Sequence, residues 1–207
     1  MIELFVSAFA TFFVVIDPPG CAPIYAGLTG DAPPRERRMM ALRATMVAAG
    51  ILLFFALLGE DLLEALGISL AAFRIAGGIM LFLIALEMVF ERRTRRRETR
   101  AQEVNDDPAH EDVSVFPMAI PMIAGPGSIA SVMLLMAKSE GLSASLVVLA
   151  ALGAVLVLTL LSLLAAGALM RLLGHRMEAM LTRLLGVLLA ALAAQFVIDG
   201  ISVSFQV

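Results

Sequence analysis

Asp17-Pro18-Pro19-Gly20 interrupts an apolar run that extends from residue 4 to residue 28. Two prolines and a glycine cannot carry a helix through that point. Each proline lacks a backbone N–H and collides with the preceding turn, and glycine is the poorest ordinary helix former. A carboxylate at the same place is costly inside an apolar segment. The stretch reads as an intended opening in a membrane-spanning helix, and it sets the question of whether a matching opening exists elsewhere.

The chain has 207 residues, of which 60% are hydrophobic and 16% charged. A soluble domain is closer to half apolar and a quarter charged. The excess is gathered into six runs, at residues 4–28, 39–58, 66–90, 113–137, 142–169 and 180–201. Each is near the ~20 residues that cross a hydrocarbon core. The expected fold class is therefore all-α and transmembrane, with the lipid bilayer as partner. Residues 91–112 are the most polar stretch and read as a cytoplasmic loop. They divide the chain into 1–90 and 113–207, with three spans in each part.

Basic residues orient the spans, because cytoplasmic connections collect Arg and Lys. The first connection and its margin hold Arg35, Arg37, Arg38 and Arg43. The third holds Arg92, Arg93, Arg95, Arg96, Arg97 and Arg100, and the fifth holds Arg171, Arg176 and Arg183. Only Arg74 and Lys138 of the 15 basic residues fall elsewhere. Both termini are expected outside the cytoplasm. Beside a membrane helix, the arginines from Arg92 to Arg100 are a topology signal rather than a nucleic-acid patch.

Three spans per half is an odd number, so a duplicated half would insert inverted. Pro19-Gly20 and Pro126-Gly127 lie 107 residues apart, and Arg74-Ile-Ala-Gly77 and Arg183-Leu-Leu-Gly186 lie 109 apart. These repeats predict two three-helix inverted-topology repeats whose first and fourth helices are discontinuous. Gly125-Pro126-Gly127 becomes the partner of the first break. The half-helices that start at the two breaks then point their N-termini at a common region near the midplane. Free N–H groups and the positive end of the helix dipole stabilise an anion such as a carboxylate. Carbonyls on the preceding half-helices are open to a cation or an ammonium group.

Four motifs resemble the MarC family of membrane proteins. They are Asp17-Pro-Pro-Gly-Cys-Ala-Pro23, Ala72-Phe-Arg-Ile-Ala-Gly-Gly78, Ala119-Ile-Pro-Met-Ile-Ala-Gly-Pro-Gly127 and Gln195-Phe-Val-Ile-Asp-Gly200. They occur in order over nearly the whole chain. The resemblance implies a six-helix protein of the bacterial inner membrane, similar to amino-acid exporters of the LysE type. It also implies transport of small neutral amino acids for some members. The family often has Asn where this chain has Asp17.

Each singled-out residue has a functional and a structural reading. Asp17 either holds a substrate ammonium or a coupling proton, or caps the half-helix that follows it. Ser128 reads as a cap ahead of a ligand. Pro23, Pro117 and Pro121 read as kinks, and Cys21 as a small packing residue. Arg74 is expected to pair with Asp199 and Arg183 with Glu87, across the repeats, with Gln195 beside Asp199 as a lesser cavity-lining candidate. The substrate site expected from these readings comprises Asp17, Pro18, Pro19, Gly20, Cys21, Gly125, Pro126, Gly127 and Ser128.

No zinc, haem, HExxH, GxSxG or GxxxxGK[ST] pattern occurs, so neither an enzyme nor a built-in ATP motor is expected. No cofactor is expected beyond a coupling proton or sodium ion. The expected function is secondary transport of a small zwitterion, such as a neutral amino acid, by alternating access. A channel built on the broken helices and a purely structural membrane protein are the alternatives. A homo-oligomer is left open, and nucleic acid is not an expected partner.

Overall fold

The computed structural model describes residues 1–30, 32–92, 99, 112–139 and 141–205, with the side chains at 170–176, 178 and 179 outside that description. Its elements are α1 (Ile2–Ile16), α2 (Pro18–Leu28), α3 (Pro34–Ala65), α4 (Leu70–Val89), a wide-turned proline segment (Ser114–Ile123), α5 (Pro126–Ala137), α6 (Leu142–Leu164) and α7 (Ala166–Phe205). No strand occurs among the described residues. Ile2–Leu28, Pro34–Ala65, Leu70–Val89, Leu142–Leu164 and Met180–Phe205 are each long and apolar enough to cross a membrane. The proline segment and α5, bent by 53°, make a sixth if taken as one span. Leu53, Phe54 and Leu57 on α3, Phe82 and Leu83 on α4, and Val187 and Leu188 on α7 are exposed. Such a surface suits lipid, where an apolar side chain needs no cover. This is a multi-pass integral membrane protein.

Two helices run further than the hydropathy pattern suggests. Arg35, Arg37 and Arg38 belong to the first turns of α3, whose start is Pro34. At its other end Glu60, Asp61 and Glu64 continue α3 instead of forming a connection, because the glutamates and leucines there sustain a helix well. The stop comes at Gly67 in the left-handed region (φ 68°), where Ile68 N–H reaches the Leu63 carbonyl at 2.9 Å. Residues 171–176, expected as a connector, are helical and part of α7. No proline stands there to stop it. The basic run beyond Arg92, in the loop 91–112, lies outside the described residues.

Packing depends on small residues. Helix α4 lies antiparallel along α7. A Cβ on Gly78 would stand 2.9 Å from the Ala193 carbonyl oxygen, and one on Gly200 3.0 Å from that of Ala71. On the far end, one on Gly186 would stand 3.1 Å from the Ala85 carbonyl oxygen. Lipid gives helices no hydrophobic reason to associate, so close backbone approach and dispersion hold them. Helix α5 packs on α4 at Gly77, which faces Ala130 and Leu134. Helix α1 lies against α5, α6 and α7, and α3 covers the proline segment, α5 and α6.

Candidate functional site

At the first break, Asp17 adopts φ 60° and ψ 64°, left-handed values that Asp tolerates better than most residues. Its N–H still donates to the Phe13 carbonyl at 3.0 Å, closing α1. Its carboxylate accepts from Gly20 N–H at 3.1 Å, opening α2. Pro18 and Pro19 occupy the first helical positions, where no N–H is needed. Position 20 must be glycine, since a Cβ there would lie 2.2 Å from a carboxylate oxygen of Asp17. Asp17 is only 2% exposed.

The break also changes the carbonyl side. In an unbroken helix, residues 18 and 19 would donate to the carbonyls of residues 14 and 15, but prolines carry no N–H. Gly20 N–H goes to Asp17, and the Ile16 carbonyl instead takes the Cys21 thiol at 3.5 Å. Oxygen dipoles at the end of α1 therefore lie beside N–H groups at the start of α2.

The second break is built differently. Phe116 and Ile120, each preceding a cis proline, are extended (φ −125° and −123°). Two wide turns result, closed by Met118 N–H on the Val113 carbonyl at 3.3 Å and Ala124 N–H on the Ala119 carbonyl at 2.8 Å. Gly125 then starts α5, with no side chain capping it. Ser128 is buried in the first turn and does not cap, which corrects the sequence reading: the cap position falls on Gly125, three residues earlier. A Cβ on Gly125 would meet the Pro121 carbonyl oxygen at 2.4 Å.

The two breaks touch. A Cβ on Gly127 would stand 3.2 Å from Val15, two residues before Asp17, and 2.7 Å and 3.4 Å from Ile84 and Leu81 of α4. Helix α2 has 11 residues and α5 has 12, about 16–18 Å each, roughly half of a ~30 Å hydrocarbon core. Ser131 lies one turn beyond Gly127 on the same face of α5. It is fully buried, and its hydroxyl has no hydrogen-bond partner among the described residues. Thr11, Thr45 and Thr159 instead donate to carbonyls one turn back, at 2.8–2.9 Å. Sequence reading missed Ser131, although a serine one turn after Gly127 was there to be found.

The charged candidates gather at the two ends of the α4–α7 pair. At one end Asp199 accepts from Lys138 and, at 2.7 Å, from Gln195. Lys138 also lies 5.1 Å from the Phe196 ring centroid. Arg74 is within electrostatic reach of Asp199 but forms no ion pair with it, so the expected pair is replaced by Lys138–Asp199. At the other end Arg183 pairs with Glu91 rather than Glu87, one helical turn earlier. Away from that pair, Arg43 on α3 pairs with Asp112, whose carboxylate also accepts from Ser114 N–H at 2.9 Å. A cavity of about 220 Å³ opens at the C-terminal end of α2, lined by Tyr25, Thr29, Arg37, Arg38, Leu163 and Gly167 among others. Tyr25 donates to the Arg37 carbonyl at its edge.

The profile of a family described as "MarC family integral membrane protein" matches residues 2–205. A UPF0056 membrane protein of Methanocaldococcus jannaschii is 36% identical over 97% of each chain. The UPF0056 membrane protein YvbG of Bacillus subtilis is 32% identical over 100% of this chain and 98% of its own. The UPF0056 inner membrane protein YhgN of Escherichia coli is 33% identical over 95% of each. No solved structure matches the chain.

Proposed function

Since the chain belongs to the MarC family of integral membrane proteins, we propose that it is a secondary transporter of a small zwitterionic solute, a neutral amino acid in particular, working by alternating access. The carrying observation is the contact between the two breaks, Gly127 against Val15 beside buried Asp17. The solute carboxylate meets N–H groups at the starts of α2 and α5. Its ammonium meets Asp17 or the carbonyls ending α1. Asp17 is the coupling-proton candidate, with sodium as the other option.

Alternating access needs two interchangeable halves, and the α4–α7 contacts support an inverted repeat. Gly78 faces Ala193 and Val197, while Gly186 faces Ala85 and Val89. Adding 108 to the first residue and subtracting it from its partners turns one contact into the other. Reciprocity of this kind is what a two-fold axis in the membrane plane produces. Under it, Ile2–Leu28 and the proline segment with α5 are the broken first and fourth spans. The arginine distribution puts the Arg183 end in the cytoplasm and both termini outside.

The test is uptake and efflux of an amino-acid panel in proteoliposomes, comparing native protein with Asp17→Asn. At least one neutral amino acid should move above empty vesicles, with Asp17→Asn altering its rate or its pH dependence. A panel in which nothing moves would remove the assignment.

A further inference from the structure

The ends of the α4–α7 pair carry related charges arranged differently. At one end Arg183 is paired with Glu91. A shift of 108 to 109 residues relates these groups to Asp199 and Arg74 at the other end, yet Asp199 is taken there by Lys138 and Gln195. The same shift of 108 takes Lys138 to Gly30, so Lys138 has no basic counterpart under the shift. Arg74 is left with a buried Nε that has no hydrogen-bond partner among the described residues. Glu60, Asp61 and Glu64, at the same end of the bundle, make no ion pair with it among the described residues.

From this arrangement we infer that Arg74, together with Lys138 on the shared Asp199, forms a binding site for an oxyanion, a carboxylate or a phosphate group, at the end of the α4–α7 pair where Lys138 meets Asp199. Two cations share one carboxylate, so the cluster holds a surplus positive charge. A guanidinium in a membrane helix without an anion is costly, and its planar fork of N–H donors matches an oxyanion with two hydrogen bonds. Arg74 lies about 6 Å along α4 from its start, shallow enough for a solute or a lipid headgroup to reach. Lys138 and Gln195 each take one oxygen of Asp199, and Arg74 forms no ion pair with it among the described residues. This site stands on the charge arrangement and does not depend on the transport reading.

Two sources of oxyanion are separable by experiment. In dodecyl maltoside micelles, which contain no phosphate, acetate or inorganic phosphate should raise the melting temperature of the native protein above chloride at equal ionic strength. Arg74→Gln should lose that response, and Arg74→Lys should need about tenfold more anion, the weight of one charge-assisted hydrogen bond. If a lipid phosphate is the occupant, nanodiscs of phosphatidylglycerol should stabilise native protein but not Arg74→Gln, and added acetate should then do nothing more. Lys138→Gln should also abolish the response, because it releases Asp199 to pair with Arg74. It decides the matter if Arg74→Gln does not fold. Equal responses in native, Arg74→Gln and Lys138→Gln proteins, or no response in either medium, would overturn the site.

Discussion

Asp17 does two jobs that substitution can separate. As a cap it satisfies Gly20 N–H, and in the proposed transport it is the acid that meets the solute ammonium or the coupling ion. Asp17→Asn keeps a side-chain oxygen and a residue type that accepts left-handed backbone, so the melting temperature in detergent should hardly change. Asp17→Ala loses the cap and puts a methyl-bearing residue at φ 60°, costing about 1–2 kcal/mol and lowering that temperature. Asp112, outside the spans, gives a pH handle. Burial pushes its carboxyl up, but hydrogen bonds from Ser114 and the Arg43 guanidinium outweigh this and hold it below its ordinary value. A carboxyl lowered by folding stabilises above its unfolded pKa, and that stability is lost as pH falls through the folded one. Native protein should therefore lose stability below about pH 4, and Arg43→Gln should lose less over the same range. The cap at Asp17 was legible because Asp before Pro-Pro-Gly has a local reason to be there. Arg183's partner was not, since Glu87 and Glu91 lie one turn apart on one helix face. Lys138 escaped because 61 residues separate it from Asp199, and no local pattern joins them.

The helices are held by what glycine leaves out. Gly78→Ala would press a methyl 2.9–3.0 Å from backbone atoms of Ala193 and Val197, and α4 and α7 would have to separate at about 1–3 kcal/mol. Gly127→Ala would crowd Ile84 and Val15 and should lower stability similarly, and solute flux further, because it wedges the two breaks apart. Gly153→Ala meets nothing within 4 Å and should raise the melting temperature, by up to about 1 kcal/mol of helix propensity. Melting curves of the three variants in one detergent check this order. Hydropathy located each apolar run, because crossing length and composition are properties of a segment by itself. It misjudged the ends of α3 and α7, where charged residues that keep a helix going look like connections. The wide turns at Phe116-Pro117 and Ile120-Pro121 were beyond it too. Prolines announce an interruption, but no local pattern names the wide turns that replace the helix or the α3 surface packed against them.

At the scale of the molecule, the reciprocal contacts of Gly78 and Gly186 along α4 and α7 are what the proposed inverted repeat requires of two halves that exchange roles around a shared centre. With the orientation expected from the arginines, epitope tags at residue 1 and after residue 207 should be reached by antibody from outside intact cells, and a tag within residues 91–112 only after permeabilisation. A tag at either terminus seen only after permeabilisation would reverse the topology. The sequence signal for the proposed repeat is that both the breaks and the Arg-x-x-Gly openings recur at nearly one offset. What the sequence could not carry is which charges meet, since those distances arise only when α5 and α7 are packed. The central claim is that the paired breaks enclose a site open to one side at a time. Solute counterflow tests it most directly: vesicles preloaded with an unlabelled neutral amino acid should transiently accumulate the labelled form above equilibrium. Labelled solute that merely equilibrates, at a rate that rises without saturation, would contradict it.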